Sequence, residues 1–211
     1  MIKPQDITVK SVNTLAEEII QQSLSADTIG LVGIGQAISR TCAIVGLSTE
    51  IARIYARKIV LDYVETPVIG PFEAIYFQLT SKPTTELSDL VKRLESELVA
   101  NKPGRGGQLV LVSKLAEIRR ITTTCLYTLR DFDLMKIQAA GLAINSAVSA
   151  ALQVVRLSKE PVRVEAVGLE PIESKMNMHR TTALSIYIRR GKSVERDPDL
   201  LRTLRDLRLA T

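Results

Sequence analysis

Histidine, cysteine and tryptophan are nearly missing from this 211-residue chain, which holds one histidine, two cysteines and no tryptophan. Cys42 and Cys125 alone build neither a disulfide framework nor a cysteine-rich zinc site. His179 alone argues against a His-based metal centre or a Ser-His-Asp triad. Aromatic residues make up 4% of the chain, too few for the stacking platforms of single-strand binders. No apolar run reaches the ~18–20 residues of a membrane span. Met1-Ile2-Lys3-Pro4 soon meets charged and polar residues, unlike a signal peptide. The expectation is a soluble, cytoplasmic, non-enzymatic protein with no cofactor, no metal and no membrane partner.

What is present is a substantial apolar fraction, 45%, sufficient for a buried core. The length suits one large domain or two of about 100 residues. The net charge of +5 is unevenly spread. Residues 1–100 hold 9 Lys/Arg against 12 Asp/Glu, and residues 101–211 hold 19 against 11. A polyanion partner would prefer the basic second half.

Periodicity and punctuation give the element order. Ile7–Lys10 is a short β-branched run, followed by a helical pattern through Val12, Leu15, Ile19 and Ile20, with Ser11 or Asn13 as N-cap. Thr28–Ile34 reads as a buried strand, Ile38–Lys58 as a helix, and Ile59–Ile69 and Phe72–Thr80 as strands around a tight Gly70-Pro71 turn. An amphipathic helix with Leu87, Leu90, Val91, Leu94 and Leu98 follows, expected to cover the first sheet or the seam between halves. Asn101–Gly107 is the clearest linker. Then Leu109–Val112 is a strand, Ile118–Arg130 a helix, Leu134–Ala140 a strand, Leu142–Leu157 a helix, and Val162–Ile172 and Ala183–Arg190 strands. Gly168 and Pro171 suggest a bulge or bend. Asp197–Leu209 is a charged helical pattern with Leu200, Leu201, Leu204 and Leu207 on one side, suited to docking on the body or to oligomer contacts.

The order β-α-β-α-β-β occurs twice. Gly35-Gln36-Ala37-Ile38 matches Gly141-Leu142-Ala143-Ile144 at an offset of 106 residues, and Glu65–Ile69 lies near Leu169–Glu173 at 104. The repeat resembles the Alba family of archaeal and eukaryotic nucleic-acid-binding proteins. Gly35-Gln36-Ala37-Ile38-Ser39-Arg40 and Gly141–Val148 are similar to that family's Gly-Arg-Ala-Ile-Ser-Lys-Ala-Val segment, and Ser113-Lys114 to its Gly-Lys-Lys-Pro signature. The resemblance implies an α+β fold of two βαβαββ domains packed as an intramolecular pseudo-dimer. The domains would span 1–80 (acidic, scaffold-like) and 108–191 (basic), separated by the helix and linker of 81–107 and followed by the charged helix of 192–211. It implies non-catalytic binding of RNA or DNA with low sequence specificity, in a chromatin, nucleoid or RNA-metabolism role. Homo-oligomers or other Alba-like chains are the protein partners it implies. The chain departs from the family at Gln36, Leu142, Leu115 and Ala116, where the family has basic residues or proline. The first copy's Gly70-Pro71 turn also reads as too short an arm to enter a groove.

The candidate contact residues are Lys114, where strand meets helix, Arg119 and Arg120, which open that helix, Lys175, Asn177 and Arg180 on the last loop, Arg189 at the end of the last strand, and Arg105 in the linker. Arg190 belongs to the same basic set. Cations on an edge and an arm suit phosphate contact. Asn177 would read a base edge, and Met176, Met178 or His179 would press on a base or sugar. The departures favour a second reading, a protein-interaction or assembly subunit that has lost direct nucleic-acid binding. A third pattern, Gly30-Leu31-Val32-Gly33-Ile34-Gly35, imitates a dinucleotide fingerprint with Asp62 downstream. Ile38 stands where the third glycine belongs, and a hairpin replaces the required crossover helix. Gly33 and Gly35 then serve close strand–helix packing. Cys42 and Cys125 read as inert core thiols.

Overall fold

A computed structural model describes residues 11–66, 70–100, 107–173 and 180–191. These form an α+β protein with five α-helices and two sheets. The chain divides into two compact units at Pro83/Thr84.

The first unit contains α1 (Val12–Ser23), β1 (Ile29–Ile34), a 3-10 turn (Gly35–Ala37), α2 (Ile38–Ala52), β2 (Tyr55–Thr66) and β3 (Gly70–Thr80). The expected strand Ile7–Lys10 lies outside the described residues. The sheet order is β1-β3-β2, antiparallel throughout. A dinucleotide fold pairs its strands in parallel through a crossover, so this pairing removes that pattern from consideration. Gly33 does serve close packing: a Cβ there would stand 2.3 Å from Thr41 Oγ1 of α2. Gly35 serves the turn instead, at φ +54°, a conformation that a Cβ disfavours.

Helix α2 is shorter than its periodicity predicts, and Tyr55–Lys58 belong to β2. Arg53 stops the helix at φ 53°, with its amide donating to Thr49 O. Thr49 Oγ1 donates to Ile54 O at 2.6 Å and fixes the exit. A left-handed cap usually announces itself with glycine, and this one uses arginine.

The first hairpin is not cut short. Gly70 and Pro71 pair with Thr66 and Glu65 inside the ladder. Pro71 lies beyond the end of β1, which pairs with β3 only from Ala74, so among the described residues no strand bonds that side of β3 there. Strands β2 and β3 have 12 and 11 residues.

The second unit contains α3 (Glu86–Ala100), β4 (Leu109–Val112), α4 (Ile118–Asp131), β5 (Leu134–Ala140), α5 (Ala143–Leu157), β6 (Val162–Glu173) and β7 (Arg180–Arg190). The sheet order is β4-β5-β7-β6, with β4 parallel to β5 and the other pairs antiparallel. Strands β6 and β7 also have 12 and 11 residues. The bulge of β6 falls at Glu165, between Val164 and Ala166, and not at Gly168 or Pro171. The first unit has its bulge at Arg57, between Ala56 and Lys58. Gly35 and Gly141 share φ values of +54° and +56°.

The leucine stripe of α3 covers this second sheet, not the first. Leu94 and Leu98 pack with Leu134, Ala166 and Tyr187. Burying those two leucines contributes about 3–5 kcal/mol as an upper bound. Gly168 has its reason here: a Cβ would stand 3.3 Å from Val91 of α3. The missing side chain lets the helix lie close to the strand.

Candidate nucleic-acid interface

The corner between β4 and α4 gathers three of the predicted cations. A turn closed by Ala116 N–H donating to Ser113 O leads from strand to helix and carries Lys114. Lys114, Arg119 and Arg120 are all exposed. Helix α4 starts at Ile118 after Glu117, whose side chain makes no capping bond, and its first turn holds no acidic residue. The first amides of a helix without a cap favour an anion. Beside this corner lies an open concavity of about 700 Å³, lined by Leu109, Leu111, Ser113, Leu115, Glu117 and Arg120 among others.

The solvent face of α4 extends the corner. Arg120, Thr124 and Tyr127 are exposed at i, i+4 and i+7. The Arg130 guanidinium lies 4.9 Å from the centre of the Tyr127 ring. Tyr127 and Phe132 are the few aromatics that the sequence sets near this region, and helical spacing from Arg120 puts Tyr127 on the exposed face.

Comparison with known proteins gives a limited yield. No family model matches the chain. No curated protein matches it either. Among solved structures it is similar to Alba from Thermoplasma volcanium, with 14% identity over 39% of this chain and 99% of that one, at a TM-score of 0.35.

Arg189 does not join the corner. Its guanidinium donates to Glu97 of α3 and lies 3.9 Å from Glu165, which also accepts from Arg163 at 2.6 Å. Arg190 closes the C-terminal end of α4, donating to Leu129 O and, at 3.0 Å, to Arg130 O. Glu160 and Asp133 flank it at 3.3 and 3.6 Å. Both arginines neutralise carboxylates or helix carbonyls of their own unit. Arg105, Lys175 and Asn177 lie outside the described residues. Arg180 is the first residue of β7, paired with Glu173.

Beneath α3 lies a polar cluster that the sequence did not announce. Lys136 is buried in β5 and donates to Glu95, which also accepts from Tyr187 Oη at 2.5 Å. The Lys136 ammonium sits 5.6 Å from the Tyr187 ring centre. Burial pushes the Glu95 carboxyl up, but hydrogen bonds from Lys136 and Tyr187 and the Lys136 charge outweigh it, so its pKa falls below the ordinary value. Burial, then the hydrogen bond to Glu95 and its charge, push the Tyr187 phenol up. The cluster satisfies its own charges and serves to seat α3.

Cys42 and Cys125 are buried, and burial raises both thiols, Cys125 to about 12. Neither forms thiolate near neutral pH. Among the described residues no group of three His, Cys, Asp or Glu is placed to hold a metal ion. No described helix is long and apolar enough to cross a membrane.

Proposed function

We propose that this chain is a non-catalytic nucleic-acid-binding protein built from two Alba-like units, in which the second unit contacts RNA or DNA. The observation that carries the reading is the cationic corner. Lys114, Arg119 and Arg120 stand exposed at the uncapped start of α4. Ammonium, guanidinium and free helix amides converge there on one kind of ligand, a row of phosphates. Tyr127 under Arg130 adds a surface for a sugar or base. Lys175, Asn177 and Arg180 extend the contact from the β6–β7 hairpin. Arg189 supports the fold instead. Recognition would read backbone and shape, with low sequence specificity.

A specific observation favours the second reading, an assembly subunit. Leu109, Leu111 and Leu115 are 48%, 70% and 91% exposed along the edge strand and its turn. An apolar edge of this kind suits a protein partner.

One experiment separates the two. Binding of duplex DNA, duplex RNA and a structured RNA is measured across a salt series for the native chain and for Lys114→Glu/Arg120→Glu. The nucleic-acid reading expects steep salt dependence and a slope about 2 units shallower in the variant. Salt-independent or undetectable binding by the native chain leaves the assembly reading.

A further inference from the structure

The outer face of the first sheet is buried without a described helix of its unit upon it. Helices α1 and α2 take the face of Leu31 and Gly33, where Thr41 closes on Gly33. Successive residues of a strand alternate, so Val32 and Ile34 point the other way. There Val32, Val64, Ala74 and Tyr76 are at most 7% exposed and form their own cluster with Ile34 and Val60. In the second sheet the matching role belongs to α3, the helix that follows the first repeat.

The segment after the second repeat copies α3. Leu90, Val91 and Leu94 recur as Leu200, Leu201 and Leu204, each 110 residues on, and Leu207 prolongs the stripe. Residues 192–211 lie outside the described part. Charge is inverted on both sides of the comparison. In the second unit the helix brings the carboxylate Glu95 to the buried cation Lys136. At the same offset of 110 the later segment has Arg205, and the first sheet sets Asp62 between Val60 and Val64 on the receiving face.

We propose that residues 197–209 form an amphipathic helix that covers the Val32–Val64–Tyr76 face of the first sheet, with Leu200, Leu201 and Leu204 against the valines and Arg205 toward Asp62. Each repeat is thus followed by a helix that shields the other repeat's sheet. The occupant is the chain's own segment, chosen by its recurring stripe and its reversed charge.

Thiol accessibility tests this directly. Val60→Cys is placed in the full chain, where the buried Cys42 and Cys125 give a slow background. Labelling by a maleimide is followed for that chain, for the same chain carrying Leu201→Asp/Leu204→Asp, and for one ending at Arg196. Both changes are expected to speed labelling of the new cysteine about tenfold or more, as the covering helix leaves its seat. A peptide of residues 192–211 added to the shortened chain should slow it again, and Arg202→Ala, on the far side of the stripe, should leave it unchanged. Unaltered labelling of Cys42 shows that the unit itself has stayed folded. If the shortened chain unfolds, the Leu201→Asp/Leu204→Asp chain decides alone. Equal labelling with and without an intact leucine stripe, or an equal effect of Arg202→Ala, overturns the proposal.

Discussion

The first helices of the two units begin at equivalent positions and carry opposite chemistry. Ser11 and Glu117 are both N-cap residues, 106 positions apart, with extended backbone at ψ 157° and 132°. Ser11 Oγ accepts from Thr14 N–H at 3.1 Å and closes its own helix start. Glu117 leaves its helix start open. One step further, Asn13 and Thr14 stand where the second unit has Arg119 and Arg120. A shared order of three antiparallel strands and the same glycine turn thus support a sealed, uncharged helix start in one unit and an open, cationic one in the other. Charge at this position is a property added to the scaffold, with no demand from the fold.

The largest test of that equivalence concerns the core. Gly33 against Thr41 in the first unit corresponds to Ala139 and Ala147 in the second, each 106 residues on. The first pair puts volume on the helix, and the second shares it between helix and strand. Gly33→Ala should destabilise the first unit by about 2–3 kcal/mol through overpacking. Adding Thr41→Ala should return part of that loss, although it forfeits the Thr41 hydroxyl bond to Ala37 O. Denaturant titration of the two variants checks this. No return in the double variant breaks the equivalence of the pairs.

Next in size is the polar seat of α3. Lys136→Met removes the cation and leaves Glu95 and the Tyr187 hydroxyl half-buried, which should cost about 2 kcal/mol after allowing for the partial exposure of Glu95. The pH dependence follows from the lowered Glu95 pKa. A depressed carboxyl contributes fully above its ordinary value near ~4.3 and loses that contribution as pH falls through the depressed one. The gap in stability between native chain and variant should therefore close under acid. A gap that persists once Glu95 is fully protonated assigns the effect to packing alone.

The sequence announced elements wherever side-chain period and turn residues agreed. Leu109–Val112 and Leu134–Ala140 have the bounds read from the sequence. The end of α2 was hidden because Arg53, not glycine, takes the left-handed cap. Gly70-Pro71 read as a turn because both residues favour turns, and only the finished ladder shows Pro71 where β1 has ended. The destination of α3 was not legible. Its stripe fits any apolar face, and what selects the second sheet is Gly168, Lys136 and Tyr187, scattered over three strands. The cations divided for the same reason. Lys114, Arg119 and Arg120 follow from local order, but Arg189 is occupied by Glu97, 92 positions earlier in the chain.

A smaller effect is expected from exchanging the helix starts themselves. Arg119→Asn/Arg120→Thr gives the second unit the residues of the first. Nucleic-acid affinity should fall about tenfold near physiological salt, with a salt slope about 2 units shallower. Stability should move by less than about 0.5 kcal/mol, as for other surface changes. Arg189→Gln is the contrast: it should destabilise the second unit and leave the salt slope unchanged. If Arg189→Gln flattens the slope as much as the double change does, the contact face includes the sheet edge and the contrast between corner and sheet fails.

The smallest effects concern the caps. Ser11→Ala removes the bond to the Thr14 amide and should cost about 1 kcal/mol of first-unit stability. Glu117→Ser should do the reverse in the second unit, adding a hydroxyl acceptor at the open helix start and stabilising by up to about 1 kcal/mol. It also removes the only carboxylate among the described residues lining the concavity beside Lys114, Arg119 and Arg120. Affinity for nucleic acid should rise modestly if phosphate sits over the side chains, because a like charge to the ligand has gone. It should fall if phosphate sits on the free amides, because the new hydroxyl now occupies them. Measured affinity and melting temperature of this one variant therefore distinguish a side-chain contact from a helix-terminus contact.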